Sequence, residues 1–173
     1  ITGHGDRTIV FAHGFGCDQQ MWRFVAPAFE ATHRVVLFDH VGSGGSDTSA
    51  YDAVRHASLD GYAQDVVAIL EAADLHDVVF VGHSVSAMIG VLASIAAPQR
   101  IGRLVLVCPS PRYLNDAPGY VGGFERSDID GEQTTVFTVY GKRAWGTPLL
   151  ERSLSVELLT EQLYRSLQEL GEF

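Results

Sequence analysis

The sequence is short of cysteine, basic clusters and long apolar runs, and each shortage removes a class of function. Its two cysteines, Cys17 and Cys108, lie far apart and in no CxxC or metal-ligand spacing, which argues against a disulfide scaffold or a zinc site. They fit reduced thiols in a cytoplasmic protein, with one disulfide as the alternative reading. Twelve basic residues against 21 acidic ones leave a formal charge of −9, and no basic cluster stands out, so neither nucleic acid nor an anionic membrane is an expected partner. The longest apolar runs are of strand length, too short to span a bilayer. Ile1-Thr2-Gly3-His4-Gly5 lacks the basic and apolar regions of a signal peptide, and the chain begins with Ile1 where Met would open a complete one. The seven histidines, His4, His13, His33, His40, His56, His76 and His83, form no HExxH or histidine–carboxylate cluster, so no metal and no cofactor is expected.

What the chain does have is enough apolar residue for a core: 46% of 173 residues suits one globular domain of ordinary size. Thr8 to Ala12 is a buried strand closed by the glycine turn His13-Gly14-Phe15-Gly16. Asp18 is a candidate N-cap, and Met21, Trp22, Val25, Ala28 and Phe29 recur at helical spacing, which predicts a helix as far as Ala31. A second strand, Arg34 to Phe38, runs into the loop Asp39-His40-Val41-Gly42-Ser43-Gly44-Gly45-Ser46-Asp47, and residues 48–57 lack periodicity. The helical pattern returns from Ser58 to Leu75, with Ser58 or Asp60 as its cap. Val78 to Val81 is the third strand, a helix follows from about Val85 to Ala97 ahead of Pro98, and Arg103 to Val107 is the fourth strand. Apolar strands alternating with amphipathic helices predict an α/β fold, a mostly parallel sheet covered on both faces.

In such sheets ligands gather at the carboxyl ends of strands, where both the His13-to-Gly16 turn and Ser84 fall. Gly82-His83-Ser84-Val85-Ser86 is a Gly-x-Ser-x-Ser form of the nucleophile elbow, which usually reads Gly-x-Ser-x-Gly. A serine on a sharp strand-to-helix turn stands clear of the sheet. Its hydroxyl needs a base to become nucleophilic and backbone donors for the oxyanion of acyl transfer. The N–H groups of Val85 and Phe15 are the candidate donors, and Gly14 lets the first loop approach closely. Ser86 reads as a small residue for helix packing. His13 and His83 read as packed, hydrogen-bonded residues. The Gly42-to-Ser46 loop lacks a P-loop lysine and is assigned to a turn rather than to phosphate binding.

Phe11-Ala12-His13-Gly14-Phe15-Gly16-Cys17-Asp18, Val35 to Asp47, Leu59 to Asp65, Val81 to Ser86 and Pro109 to Asp116 together resemble the α/β-hydrolase superfamily. Within it they are similar to the RsbQ-like hydrolases and their plant relatives, the karrikin- and strigolactone-receptor-like hydrolases. The likeness runs from about residue 8 to Glu125. It implies Ser84 as nucleophile, Phe15 and Val85 as oxyanion donors, and a small ester or lactone as substrate in a hydrophobic pocket roofed by a helical lid. Gly14, Tyr113 and Leu114 are the lining candidates. It also implies an acid and then a histidine on later loops, yet no histidine follows His83.

Two functions are open on this reading. One is a serine esterase or lactonase whose base comes from a partner chain, a segment outside this sequence or a rearranged histidine. The other is a catalytically impaired binding or regulatory protein on the same fold. The domain division is a hydrolase core over 1–130 and a divergent tail over 131–173, the tail holding a strand at Thr134 to Tyr140 and a leucine-rich helix over Leu149 to Leu170. That helix packs on its own core or on a second copy, and a homodimer through it or through the sheet edge is the partner expectation.

Overall fold

The computed structural model describes residues 1–110 together with Arg112, Asn115, Pro118, Gly119 and Val121. The chain divides at Ser110 and Pro111 into two units, and every described strand and helix lies in the first. The tail strand and the 149–170 helix lie outside the described residues, as do Tyr113 and Leu114.

Four strands, β1 (Arg7–Ala12), β2 (His33–Leu37), β3 (Val78–His83) and β4 (Ile101–Val107), form one sheet in the order β2-β1-β3-β4. Every neighbouring pair is parallel. This is the α/β architecture expected from the apolar runs, because a parallel strand is buried on both faces and has no polar side to show. After β2 the chain crosses to the far side of β1, so the strand order reverses between β1 and β3. At that switch point the register pairs Ala12 with Gly82, which brings the loop after β1 alongside the loop after β3.

One face of the sheet carries both described α-helices, α1 (Leu59–Ala72) and α2 (Val85–Ala96). Val10, Ala12, Val36 and Phe80 pack there with Ala63, Val66 and Leu70 of α1 and Ile89 and Ala93 of α2. Burying one such large side chain contributes roughly 1.5–3 kcal/mol, so this layer holds the elbow strand in place. Ser58 proves to be the α1 cap, its hydroxyl accepting the Asp60 N–H. The helix closes when the Leu75 N–H reaches back to the Leu70 carbonyl at 2.8 Å, with Asp74 in the left-handed region (φ 49°), the C-terminal arrangement that favours glycine or a short polar residue.

The opposite face differs from expectation. The predicted helix up to Ala31 is two 3-10 turns, Gln19–Trp22 and Ala26–Phe29. Asp18 does cap the first, accepting from the Gln20 N–H at 2.8 Å, but Pro27 has no N–H and its ring would meet the carbonyl of Arg23 in a continuous helix. The apolar spacing survives the break: Trp22, Val25 and Phe29 are buried, and the rings of Trp22 and Phe29 lie 5.0 and 5.8 Å from that of Phe11. Residues 48–57, read as loop, contain 3-10 turns at Thr48–Ala50 and Arg55–Ala57. Thr2 adds an antiparallel bridge to Val35 on the β2 edge, for which the sequence carries no periodic signal.

Candidate functional site at the strand-to-helix elbow

β3 ends at His83, and Ser84 turns the chain at φ 55° and ψ −118° before α2 begins at Val85. That conformation costs a non-glycine residue about 1–3 kcal/mol and persists only where the surroundings impose it. Here they do. The Ser84 N–H donates to the Val107 carbonyl on β4 at 2.8 Å, and its carbonyl accepts from Ala87 at 3.0 Å. A Cβ at Gly82 would run into the Ser86 carbonyl and the Ala87 nitrogen, so the small residue before the elbow is required by backbone contact.

The loop after β1 is a tight turn. The Cys17 N–H donates to the Gly14 carbonyl at 3.2 Å, and Gly16 stands third in the turn at φ 71°, the glycine position of a type II turn. Gly14 is pressed against the elbow: a Cβ on it would lie 2.5 Å from His83 Nδ1 and 3.3 Å from Ser84 Cβ. The structure thus brings Gly14, Ser84 and Val85 together at the switch point, with Phe15 next to Gly14 in the turn. The Phe15 side chain is exposed.

Histidines fill the interior between these loops. His13 is buried, with Nδ1 2.9 Å from the Gly14 carbonyl and Nε2 accepting the His40 N–H at 3.1 Å. Since a carbonyl only accepts, Nδ1 carries the proton. His40 Nε2 lies 2.7 Å from the Ser86 hydroxyl, which itself donates to the His13 carbonyl at 2.5 Å. His40 Nδ1 is buried without a hydrogen-bond partner among the described residues. Burial, then the neighbouring His13, brings the His40 pKa down from 6.5 to about 4, so its ring is neutral at pH 7. His83 is also held below its ordinary value, by burial first and His13 second, and its Nδ1 has no partner among the described residues. Ser86 therefore does more than the packing role read from sequence, since its hydroxyl joins the loops after β1 and β2 to the elbow helix.

The sequence reading missed Asp39 altogether. Its carboxylate accepts from the Gln19 N–H at 2.6 Å, the Gln19 side chain at 2.9 Å and the Gly45 N–H at 2.9 Å. Burial alone would raise its pKa, but these donors more than offset burial and hold it below the usual value. Gly44 (φ 51°) leaves no room for a Cβ beside that carboxylate. The glycine loop after β2 wraps a carboxylate of its own chain, and the clue was an aspartate placed just ahead of a run of glycine amides.

Other candidates are committed elsewhere. His56 spends both ring nitrogens, one within 2.9 Å of Asp65 and the other on the Asp52 backbone, tying residues 52–56 to α1. Cys17 and Cys108 are free thiols. Burial raises the pKa of both, with Asp18 adding to the effect at Cys17, so both are protonated at neutral pH and poor nucleophiles. Among the described residues no three His, Cys, Asp or Glu side chains are grouped to hold a metal, and no helix is long and apolar enough to cross a membrane. An open cleft of about 490 Å³ runs between Gly16 to Arg23 and Gly42 to Gly44. Ser84 is not among its lining residues, so it is separate from the elbow.

Comparison with known proteins agrees with this geometry. The chain is 50% identical over 130 residues to karrikin insensitive 2 receptor CA of Petunia hybrida, covering 75% of this chain and 48% of that protein. It is 43% identical over 130 residues to strigolactone esterase RMS3 of Pisum sativum, covering 75% and 49%. The chain spans about half the length of these curated relatives. Among solved structures, a hydrolase from Oleispira antarctica superposes with a TM-score of 0.70 at 43% identity, covering 92% of this chain and 59% of that one. The family model for the alpha/beta hydrolase fold matches residues 7–167, a span that runs past Glu125, where the recognisable motifs end. With the parallel sheet, the strained serine and the family match in agreement, the chain belongs to the alpha/beta hydrolase fold family.

Proposed function

We propose that this chain carries the nucleophile and oxyanion half of a serine hydrolase of esterase or lactonase type. Ser84 Oγ attacks the carbonyl of a small ester or lactone and passes its proton to a base. The N–H groups of Phe15 and Val85 receive the oxyanion, the leaving alcohol departs with a proton, and water then cleaves the acyl-enzyme. The observation that carries this reading is Ser84 at φ 55° on the β3–α2 corner, with Gly14 packed against it. A merely structural serine has no need of that costly backbone. Names of relatives such as strigolactone esterase RMS3 support small acyl substrates. Gly14, Tyr113 and Leu114 enter this reading as the lining candidates that the resemblance implies.

The base is supplied by a partner chain, by residues outside this sequence or by a rearranged histidine, because no histidine follows His83. The same observation favours a second reading: a hydrolase-fold binding or regulatory protein of the RsbQ-like kind that holds a small ligand and turns over slowly. Similarity to a karrikin insensitive 2 receptor supports it. A cytoplasmic setting with reduced cysteines and a homodimer through the sheet edge or the 149–170 helix belong to the same proposal. So does the division into a core over 1–130 and a tail over 131–173. Solution molecular weight tests the dimer.

An activated aryl ester separates the two readings. A stoichiometric burst that vanishes in Ser84→Ala, followed by turnover, supports the hydrolase; a burst without turnover supports the binding protein. Ester cleavage unchanged in Ser84→Ala overturns both roles for this serine.

A further inference from the structure

We propose that Ser86 is a positioning residue for the oxyanion hole, holding the loop of the first donor in register with the second. The proposal rests on Ser84 being the nucleophile and on Phe15 and Val85 being its donors. Ser86 follows Val85 directly in the first turn of α2, so its hydroxyl and the Val85 N–H ride on one rigid element. The Ser86 O–H donates to the His13 carbonyl at 2.5 Å. With that proton committed, Ser86 Oγ accepts from His40 Nε2–H at 2.7 Å. The His40 backbone N–H donates to His13 Nε2 at 3.1 Å, leaving the His13 proton on Nδ1, which donates to the Gly14 carbonyl at 2.9 Å.

That last carbonyl matters because it shares a peptide plane with the Phe15 N–H. In a trans peptide the C=O and N–H point in opposite directions, so fixing the Gly14 carbonyl aims the Phe15 N–H. Ser86 and His13 hold two consecutive peptides of the loop, and Ser86 and His40 are themselves buried against them. The usual Gly-x-Ser-x-Gly elbow has no side chain at this position, and alanine would keep the Cβ without the hydroxyl. Neither could satisfy the His13 carbonyl and the His40 Nε2–H, which burial cuts off from water. The serine that breaks the elbow pattern is the strut between the two halves of the hole.

The test compares the full 173-residue chain with Ser86→Ala, Ser86→Thr and His40→Phe by two measurements. One is the single-turnover rate of acetylation of Ser84 by p-nitrophenyl acetate, followed by intact mass. The other is the backbone amide resonance and hydrogen exchange of Phe15. Ser86→Ala should slow acetylation about 10- to 100-fold at saturating ester, the scale expected for a misplaced donor, while half-saturation changes less than about 2-fold. It should also shift the Phe15 amide and speed its exchange. Ser86→Thr restores both, and His40→Phe gives a smaller change in the same direction should the threonine fail to fold. An alanine variant that keeps the wild-type rate, or one that loses rate with the Phe15 amide unmoved, overturns the proposal. If wild-type protein is not acetylated at Ser84, the hydrolase reading fails by itself, and the Phe15 amide alone then decides the strut: moved by Ser86→Ala it stands, unmoved it falls.

Discussion

The N–H of Ser84 donates to the carbonyl of Val107 at 2.8 Å, so the tip of the elbow is pinned by the strand beside it. Ser84 stands at a positive φ because β3, β4 and α2 together leave it no other path.

The first prediction concerns that strain. Ser84→Gly should raise stability by about 1 kcal/mol in urea unfolding, because glycine adopts positive φ without the Cβ penalty. Ser84→Ala keeps the Cβ and should leave stability within about 0.5 kcal/mol of wild type. Both should abolish acylation. Equal stability for all three would mean that the elbow is not strained.

Gly82→Ala is the opposite case. The added methyl meets the Ser86 carbonyl and the Ala87 nitrogen, both backbone atoms of a helix that cannot step aside. A loss of about 3 kcal/mol or more is expected. Gly14→Ala meets a side chain, His83, and should cost less stability while displacing the loop after β1. Thermal unfolding of the two variants checks the order.

A third prediction is a pH slope. His40 falls from 6.5 to about 4 on folding, so the unfolded chain binds the extra proton between those values and stability rises with pH there. The contribution is fully present above about pH 6.5 and lost as pH falls through about 4, amounting to about 3 kcal/mol. Asp39, also lowered, adds stability that is lost at lower pH, as its own carboxyl protonates. Urea midpoints from pH 7.5 to 4 should show this slope, and His40→Phe should reduce it, leaving the part of the same sign that His83, also lowered, contributes. A variant with the wild-type slope would assign the effect to another group.

The strands, the elbow and the cap at Ser58 were legible in the sequence because each depends on neighbours within a few residues. The Gly82 requirement follows from the turn itself. The helix after Asp18 failed on one residue, Pro27, whose missing N–H outweighs a correct apolar spacing at Trp22, Val25 and Phe29. Ser86 was misjudged for a different reason: its partners, His13 and His40, are 73 and 46 residues away, and no local pattern announces a bond over such separations. Asp39 shares this difficulty through Gln19, 20 residues upstream. Hydrophobic period and turn chemistry are local, whereas buried polar partners are fixed only when the sheet order is known.

The central claim is that Ser84 is a nucleophile held ready by the elbow. Intact-mass analysis after exposure to p-nitrophenyl acetate, with peptide mapping of the adduct, tests it most directly. One acetyl group per chain on Ser84, absent in Ser84→Ala, is the result predicted. An unmodified Ser84, or an acetyl group that persists in Ser84→Ala at the same rate, would contradict it.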